Sequence, residues 1–483
     1  MTENFSADVT LFNDLDLPLL NFAEAMPVLV NGDITTVALG NVHSDQHIVE
    51  GKNFWHCHNL YHYNKASLEV SNSADAAQIF TSTQFERFLS LIGRIVETMF
   101  NTTFFSSYHY FTNGEDKKDG IYSKDAPLST NEKGSSYFVG HATVTMHVPV
   151  KSISGGDDIK VNLITDPIEG DMLKILYPRM TDPARLMDDC PVPHVFLLSH
   201  NHRDHYDEDT LKKLVKYQPV MIVLAGDAEK FTNLGFKNVH ETNWWQKTTI
   251  PVIQGNNQGL LEITAVPANH WSGQGPCDGH QATFVGFVIH KDGGDVYFAG
   301  DTARLTNEHI KAMREQFDIR TMFQPGGPDE CRENMKGTHQ SSVDGVWMHF
   351  ELMLQNLYEK DDFINRPKSE FIKEAKKLRT IYMHNKTYKL GNLHFDDTDA
   401  SVGRLKKALE TNSEKDLAAL REHELAVLEE LKGYWLQSEE KQFFFTPNNV
   451  QNGFEFLTSE EILEILEATI VIPKIGARTE FAS

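Results

Sequence analysis

The seven residues from 199 to 205 carry the side chains of this sequence that are best suited to chemistry. They read Ser-His-Asn-His-Arg-Asp-His, so three imidazoles and one carboxylate fall close together. The apolar run Val195–Leu198 precedes them and predicts a short buried strand that ends in a loop. Functional side chains are often held on loops that a rigid scaffold positions, so we expect this loop to form a site.

The spacing within this loop favours metal binding. His200 and His202 are two residues apart, and an extended backbone points both imidazoles to the same side. Asp204 and His205 follow and reach a second point further along the loop. Imidazoles and a carboxylate fit Zn²⁺, with Fe and Mn as alternatives, and the arrangement suits two ions better than one. The alternative interpretation is a solvated polar loop.

The composition limits the classes of function. The 483 residues, of which 40% are hydrophobic, predict a sizeable core and two or three structural units. The formal net charge of -23 opposes contact with phosphate backbones, so we expect no nucleic-acid partner. The four cysteines form no Cys-x-x-Cys pair, which argues against a disulfide framework or a cysteine zinc site. Without a targeting pattern at its start or an apolar run of about 18 residues, the chain is expected to be cytoplasmic and to lack a transmembrane segment.

Metal-competent side chains recur at the ends of other predicted strands. Four separate apolar runs end close to a histidine or an aspartate, and this recurrence supports a shared site more strongly than any single motif. The runs and the side chains that follow them are 195–198 with His200, 260–266 with His270, 296–299 with Asp301, and 378–383 with His384. One strand is also predicted over 137–146, and a helix over 341–354.

The flanking regions carry weaker patterns. An amphipathic helix is predicted over 84–100, and its mixed charges favour packing over lipid binding. The stretch 55–62 has the composition of a second metal site, although aromatic packing with surface histidines is the preferred interpretation. Residues 113–136 have the composition of a linker. A helix is predicted over 415–436, and the segment 458–461 predicts a capping box that starts a short final helix.

Several short segments carry a resemblance to a known family. They are Gly140–Thr143, Thr165–Ile168, Ser199–His205, Trp244–Trp245, Pro267–Trp271 and Phe298–Thr302. A further set occurs at matching intervals and comprises Gly327, Glu330, Arg332, Met335, Lys336 and His339. The region from about 137 to 400 thus resembles the metallo-β-lactamase superfamily. Within it, the similarity is to the N-acylphosphatidylethanolamine-hydrolysing phospholipase D group and its ascorbate-phosphate lactonase relatives.

The resemblance implies a fold and a domain organisation. The implied fold class is α/β, an αββα sandwich with the metals at one edge of the two sheets. We expect an N-terminal extension over 1–135, a metallo-β-lactamase-like catalytic core over 136–400, and a C-terminal helical segment over 401–483. The last segment either completes the core or forms an oligomer contact.

The resemblance also implies a set of metal ligands. His200, His202 and His270 would hold the first ion, Asp204, His205 and His384 the second, and Asp301 would bridge them. The cofactors are therefore two divalent ions, zinc in the first place. A water between the ions would lose a proton near neutral pH and attack a phosphodiester in line. Asp204, or a water that it positions, would then protonate the leaving alkoxide.

Further residues are expected around the ligands. His141 and Asp166 resemble positions that orient ligand imidazoles, with a packing or turn role as the alternative. His339 resembles a histidine that leans towards the substrate, with a surface position at a helix start as the alternative. Arg203 replaces the usual aromatic residue of the phospholipase group, and our hypothesis is that it contacts a substrate anion. The segment 385–388, Asn-Lys-Thr-Tyr, also departs from the usual Trp-Gly-Thr-Phe.

Three functional hypotheses follow from these residues. The leading one is a hydrolase of a phosphodiester, in a phospholipid or a small metabolite. The second is a lactone, ester or amide hydrolase that uses the same site. The third is a metal-binding or redox protein without hydrolytic activity, which is disfavoured because flavin-linked di-iron relatives need a glutamate where this chain has His202. Peripheral membrane contact and homo-oligomer formation stay open.

Overall fold

The fold is taken from a computed structural model of the chain. It describes residues 28–30, 34–38, 122–123, 125, 134–171, 179, 181–185, 187, 190–274, 282–329, 332–360, 363, 366–388, 397–435 and 457–482. The predicted helix over 84–100, the stretch 55–62 and most of the predicted linker lie outside these residues. Within them, no helix has both the length and the apolar character of a membrane span.

Strands dominate the first part of the described chain, and helices become frequent after residue 300. The strands are β1 (Val28–Val30), β2 (Thr35–Ala38), β3 (Ser135–Gly140), β4 (Thr143–Val150), β5 (Ile159–Thr165), β6 (Val195–Leu197), β7 (Val220–Leu224), β8 (Val239–Thr242), β9 (Gln246–Gln254), β10 (Asn257–Pro267), β11 (Val285–Ile289), β12 (Asp295–Phe298), β13 (Ile319–Pro325), β14 (Arg379–Met383), β15 (Ile470–Val471) and β16 (Arg478–Glu480). The α-helices are α1 (Glu208–Leu214), α2 (Ala228–Leu234), α3 (Asn307–Gln316), α4 (Arg332–Met335), α5 (Ser342–Met348), α6 (Gln355–Lys360), α7 (Lys368–Ala375), α8 (Asp397–Thr411), α9 (Glu414–Ala418), α10 (Glu422–Trp435) and α11 (Ser459–Thr469). A 3₁₀ turn follows α1 at Val215–Tyr217, and a π-helix at His349–Leu354 joins α5 to α6.

The strands form two mixed sheets. In the described residues, one sheet has the order β1-β9-β10-β11-β12-β13-β14-β15, with β2 also paired to β9. The other has the order β16-β3-β4-β5-β6-β7-β8. Pairing is antiparallel from β9 to β12 and parallel from β12 to β15, and the second sheet changes in the same way at β5. The predicted α/β sandwich is thus confirmed.

The sequence of the central strands explains why they are buried. Strands β7, β11 and β12 are buried at every residue, as continuous apolar runs are when both faces of a sheet are covered. Aromatic side chains fill the core, among them Trp244, Trp245, Tyr297 and Tyr382, which are fully buried. The core therefore holds the strand ends in fixed positions, because a close-packed interior tolerates little displacement.

Residues from both flanking regions pair with the two sheets. Val28 pairs with Gln254, and Thr35 pairs with Thr249, so β1 and β2 follow each other along β9. At the other end of the chain, β15 extends one sheet beside β14 and β16 extends the second sheet beside β3. Each sheet therefore contains strands that are far apart in the sequence.

The strand predicted over 137–146 is wrong in one respect. The chain turns back between β3 and β4, because Gly140 has a φ of 137° and His141 has a φ of 55°. The helix predicted over 415–436 is also divided, into α9 and α10. There the Arg421 backbone N–H donates to the Glu424 carboxylate at 3.0 Å and starts a new helix. The predicted capping box is confirmed, with the Thr458 hydroxyl accepting from the Glu461 N–H.

The carboxyl ends of the parallel strands meet at one edge of the sandwich. Asp166 follows β5, His200 follows β6 after two residues, Asp301 follows β12 after two residues, and His384 follows β14. Ligands of open α/β sheets bind outside the carboxyl ends of the strands. The topology therefore brings to one edge side chains that lie up to about two hundred positions apart.

Candidate metal centre

Several site residues adopt an unusual backbone conformation. His141, Asp166 and His384 have φ values of 55°, 39° and 57°, which place them in the left-handed region. Residues other than glycine rarely occupy this region, and those that do cluster at functional sites. The His384 N–H donates to the His141 carbonyl at 2.8 Å, which joins the β3–β4 turn to the end of β14. The two sheets are thereby linked at the site itself.

Three imidazoles form a first cluster. His202 Nδ1 lies 3.0 Å from His200 Nε2 and 3.1 Å from His270 Nε2. Burial lowers the pKa of all three rings, and that of His270 falls to about 4. The imidazoles are therefore neutral at physiological pH, which is the form that binds a metal.

The far nitrogens of two of these rings have hydrogen-bond partners. His270 Nδ1 lies 2.7 Å from the Thr338 carbonyl, which accepts only, so Nδ1 carries the proton. His200 Nδ1 lies 3.1 Å from the Ser199 hydroxyl. Because such bonds fix the tautomer and the ring orientation, they leave each Nε2 with a lone pair directed into the cluster.

A second cluster surrounds the Asp204 carboxylate. Asp204 Oδ2 lies 3.0 Å from His141 Nε2, 3.5 Å from His384 Nε2 and 3.7 Å from His205 Nε2. The candidate ligand atoms of these four residues all lie within 4.8 Å of one another. His141 thus lies within hydrogen-bonding distance of the Asp204 carboxylate, whereas the resemblance gives it the role of orienting a ligand imidazole.

Asp301 lies between the two clusters. Its side chain is only 1% exposed. Its Oδ2 is 4.0 Å or less from five imidazole nitrogens, which are His384 Nε2 at 2.9 Å, His205 Nε2 at 3.3 Å, His339 Nδ1 at 3.6 Å, His200 Nε2 at 3.9 Å and His270 Nε2 at 4.0 Å. This carboxylate contacts members of both clusters, as a shared ligand would.

Buried polar atoms without a hydrogen bond test whether metal ions fit here. In the described part of the chain, no hydrogen bond is formed by the two Asp301 oxygens, by the Nε2 atoms of His205 and His384 or by His339 Nδ1, although these atoms lie close to one another. Burying such atoms unpaired is costly, and native proteins largely avoid it. Divalent ions would satisfy all of them, and a set of nitrogen and carboxylate ligands suits zinc, iron or manganese. The residues therefore fit the metals that the sequence predicts.

In the metal-free cluster, protonated imidazoles balance the negative charges of the carboxylates. Burial lowers the pKa of His384, but the Asp301 carboxylate outweighs it and raises the pKa to about 9. Burial likewise opposes a raised pKa at His205, and the Asp301 and Asp204 carboxylates lift it well above the usual value. The same attractions keep the pKa of both carboxyls well below the usual range despite burial. Cations that enter must displace these protons.

Asp166 orients one of the candidate ligands. One of its oxygens lies 2.8 Å from His205 Nδ1 and accepts from the Ser199 hydroxyl at 2.5 Å. The other accepts from the Ser199 N–H at 2.8 Å. Since His205 Nδ1 donates to this carboxylate, its Nε2 is available to face Asp301. Asp166 is therefore in hydrogen-bonding contact with a candidate ligand, and its orienting role stays a prediction.

The remaining two predicted residues differ in burial. His339 lies beside His270, with ring centroids 4.7 Å apart, and its side chain is 14% exposed. Arg203 is exposed, and its Nε donates to the Gln274 carbonyl at 2.9 Å. Ten of the eleven residues predicted for the site therefore meet at one place, and Arg203 lies at its outer side.

Two positioning groups were not predicted. Asn201 accepts from the Gly273 N–H at 2.6 Å and donates to Asp227 at 2.7 Å, which fixes the loop of His200 against the loop that follows His270. The sequence signal that could have identified Asn201 is its position between two candidate ligand histidines. The second group, the Thr338 carbonyl, belongs to the backbone, so the residue type does not predict it.

Known proteins are similar to parts of this chain. The family described as Beta-lactamase superfamily domain matches residues 161–359. A mitochondrial N-acyl-phosphatidylethanolamine-hydrolyzing phospholipase D of Saccharomyces cerevisiae is 33% identical over 162 residues, 32% of this chain and 34% of that protein. N-acyl-phosphatidylethanolamine-hydrolyzing phospholipase D 1 of Caenorhabditis elegans is 26% identical over 226 residues, 44% of this chain and 59% of that protein. The matches thus span about a third and three fifths of these two relatives.

A third relative is covered over more of its length. A UPF0173 metal-dependent hydrolase of Methanocorpusculum labreanum is 30% identical over 181 residues, which are 34% of this chain and 70% of that protein. These matches agree with the two mixed sheets and with the histidine and aspartate clusters at their shared edge. The chain therefore belongs to the metallo-β-lactamase superfamily.

Proposed function

We propose that this protein is a metal-dependent hydrolase that uses two divalent ions to cleave a phosphodiester. The observation that carries the proposal is the position of Asp301, whose Oδ2 lies within 4.0 Å of imidazoles from both clusters. A carboxylate shared by two ligand sets is suited to two neighbouring ions. The names of the yeast and nematode relatives support phosphodiester cleavage of the phospholipase D type.

The ligands are assigned by cluster. In this proposal the first ion is held by His200, His202 and His270, the second by Asp204, His205 and His384, and Asp301 contacts both. Zinc suits the donors, with iron or manganese as alternatives. When bound, the ions would provide a nucleophilic water at neutral pH and would withdraw charge from the phosphoryl group.

Asp204 is the residue that we assign to protonation of the leaving group. Its side chain is 12% exposed, whereas that of Asp301 is 1% exposed, so Asp204 is the more accessible of the two carboxylates. Its pKa lies well below the usual value, because the neighbouring His205 and His141 outweigh burial. Asp204 therefore holds no proton of its own at neutral pH. We propose that it positions the water that protonates the leaving alkoxide.

His339 is the residue we assign to substrate contact. Its Nδ1 faces Asp301 Oδ2 at 3.6 Å, and its ring packs against His270. Burial holds the pKa of His339 well below the usual value, so the ring is neutral. A neutral imidazole beside the ligands acts as a hydrogen-bonding group that orients the phosphoryl oxygens, and not as a counter-charge.

The test combines metal analysis with a substrate panel. The purified protein is loaded with zinc, iron or manganese, and its metal content is measured together with the hydrolysis of bis-p-nitrophenyl phosphate, a lactone and a cephalosporin. We expect two ions per chain, phosphodiester cleavage that a chelator abolishes, and recovery when metal is added back. Asp301→Asn should lose both activity and metal while Asp295→Asn, a buried carboxylate at the start of β12, keeps them.

Specific results would contradict this proposal. One ion per chain would exclude the shared position of Asp301. Cleavage of the lactone alone would favour the lactone, ester or amide alternative on the same residues, and no cleavage by the metal-loaded protein would favour a non-hydrolytic role.

The remaining predictions on context stay proposals. We propose a catalytic core over 136–400, flanked by the segments 1–135 and 401–483, and a small-molecule or lipid substrate. A cytoplasmic location is likewise a proposal, and a fluorescent fusion of the full chain tests it. The yeast relative carries a mitochondrial name, so mitochondria are the compartment to compare.

A further inference from the structure

Arg203 is a cation within the metal-binding loop, and it has no carboxylate partner in the described part of the chain. Its Nε donates to the Gln274 carbonyl at 2.9 Å, and the side chain is exposed. By contrast, Arg304 and Arg332 both pair with Asp344, at 2.5 and 3.3 Å. In a chain of net charge -23, a guanidinium without an internal carboxylate is available to an external anion.

The surroundings of Arg203 hold it close to the first cluster. We call Arg203, Trp271 and Gln274 the rim. The Trp271 side chain packs on His202, with ring centroids 3.9 Å apart, and is itself 38% exposed. The Gln274 side-chain amide donates to the Tyr206 carbonyl at 3.4 Å. The rim is therefore attached to the loop of ligand residues on both sides of Arg203.

Two hydrogen bonds of the Asn201 side chain fix the rim relative to the ligands. Its Oδ1 accepts from the Gly273 N–H at 2.6 Å, and its Nδ2 donates to the buried Asp227 at 2.7 Å. Asn201 lies between two candidate ligands in the sequence, and Gly273 precedes Gln274. Arg203 therefore keeps a defined position with respect to the first cluster.

The burial of the ligands separates Arg203 from the group that is cleaved. The side chains of His200 and Asp301 are each 1% exposed, whereas Arg203 lies at the surface. A phosphoryl group held between the metal ligands would be neutralised by the ions and would lie inside the rim. An anion that reaches Arg203 must therefore be a different group, further out on the same substrate.

We propose that Arg203 binds a second anionic group of the substrate, so that the enzyme prefers phosphodiesters that carry an additional carboxylate or phosphate. The inference rests on the proposed function, since it describes the substrate of the same site. Carboxylate and phosphate share the bidentate geometry that a guanidinium recognises.

The experiment uses substrates that differ in this one charge. The first is 3-carboxypropyl p-nitrophenyl phosphate, the second its neutral 3-carbamoylpropyl isostere, and the third carries a phosphonate in place of the carboxylate. Turnover of each by the zinc-loaded full chain gives ratios of kcat/KM. In a second arm, the corresponding phosphate monoesters, which lack the p-nitrophenyl group, are titrated into the same protein by calorimetry. This arm measures binding and requires no turnover.

We expect the wild-type protein to prefer the charged substrates by up to about fivefold, which is the upper end of the effect of an exposed ion pair. Arg203→Ala should bring the ratio of charged to neutral substrate close to one, and Arg203→Lys should keep part of it. The preference should shrink in high salt, because exposed charges are screened. The charged substrate with the higher kcat/KM shows which group is recognised: the carboxylate substrate reports a carboxylate, and the phosphonate substrate reports a phosphate.

Lys237→Ala is the matched control. Lys237 is exposed and precedes β8, at the end of the sheet opposite to the metal ligands, so the variant loses the same charge elsewhere. It should retain the wild-type ratio.

The proposal is overturned if the wild-type protein shows no preference, or if Arg203→Ala keeps it in both arms. If no phosphodiester is cleaved but the calorimetric preference depends on Arg203, the proposed function fails, whereas the role of Arg203 in binding a second anionic group is retained.

Discussion

Replacing Asp166 by asparagine should weaken binding of the second metal ion without unfolding the protein. The carboxylate accepts from three donors, the Ser199 N–H, the Ser199 hydroxyl and His205 Nδ1. Asparagine has one acceptor oxygen and one NH₂ group. If the oxygen keeps the Ser199 N–H, the NH₂ group faces His205 Nδ1 donor to donor. His205 must then move its proton to Nε2, the atom that faces Asp301 at 3.3 Å.

The size of the effect follows from this change of tautomer. Loss of a hydrogen-bond partner behind a metal ligand typically costs about 10- to 100-fold in metal affinity, or about 1.4 to 2.7 kcal/mol. The first ion does not use His205, so its affinity should change less. We therefore expect two separate binding steps in a competition titration with a chromophoric chelator, and Asp166→Asn should weaken one of these steps more than the other.

Two further variants make the measurement specific. Asp295→Asn alters a buried carboxylate that lies 3.2 Å from His290 Nδ1 at the far end of β12, and it should leave metal affinity unchanged. Ser199→Ala removes one donor to Asp166 but leaves the bond to His205, so its effect should be smaller than that of Asp166→Asn. Wild-type affinity for both ions in folded Asp166→Asn protein would refute the reasoning.

Four other predictions follow from the same contacts. Asp301→Asn should reduce metal content from two ions to one or none, measured by elemental analysis, and an unchanged content of two would contradict the bridging position. Metal removal should lower the melting temperature, since ligand at about 1,000 times Kd stabilises by about 4 kcal/mol, and equal melting curves with and without chelator would contradict this. Metal binding at pH 7 should release protons, because His384 has a pKa of about 9 in the metal-free protein and is charged at that pH; calorimetry in buffers of different ionisation enthalpy measures the release, and affinity should rise with pH up to about 9. Asp344→Asn should destabilise the fold by about 3 kcal/mol, since Arg332 loses its paired carboxylate, whereas Arg304 keeps Glu430 at 2.6 Å. Because the pKa of Asp344 is lowered in the folded state, this stabilisation is present above the unfolded pKa of about 4 and is lost as the pH falls below it; chemical denaturation at pH 7 and pH 3 compares the two.

The sequence was most informative where a local pattern determines local geometry. The apolar run before His200 gives strand β6, and the spacing of His200 and His202 places their ring nitrogens 3.0 Å apart. The same reasoning located the strand ends before His270, Asp301 and His384, because buried runs of apolar residues end where polar ligands begin.

Contacts between distant parts of the chain were less predictable. The turn at His141 depends on backbone angles that the alternating apolar pattern of 137–146 does not reveal. The division between α9 and α10 depends on one hydrogen bond from Arg421 to Glu424, which competes with a regular amphipathic pattern. The bond from Arg203 to the Gln274 carbonyl has no sequence signal, because its acceptor is a backbone group.

The outermost strand of the second sheet bears on how this protein is made. Strand β16 pairs with β3, and the Ser136 hydroxyl donates to the Thr479 carbonyl across 343 positions of sequence. During translation, β3 is synthesised long before β16. One edge of β3 therefore stays unpaired throughout most of translation. Contacts between such remote segments slow folding and leave unpaired strand edges exposed in the meantime. A nascent chain arrested before residue 478 should therefore engage chaperones at the β3 edge.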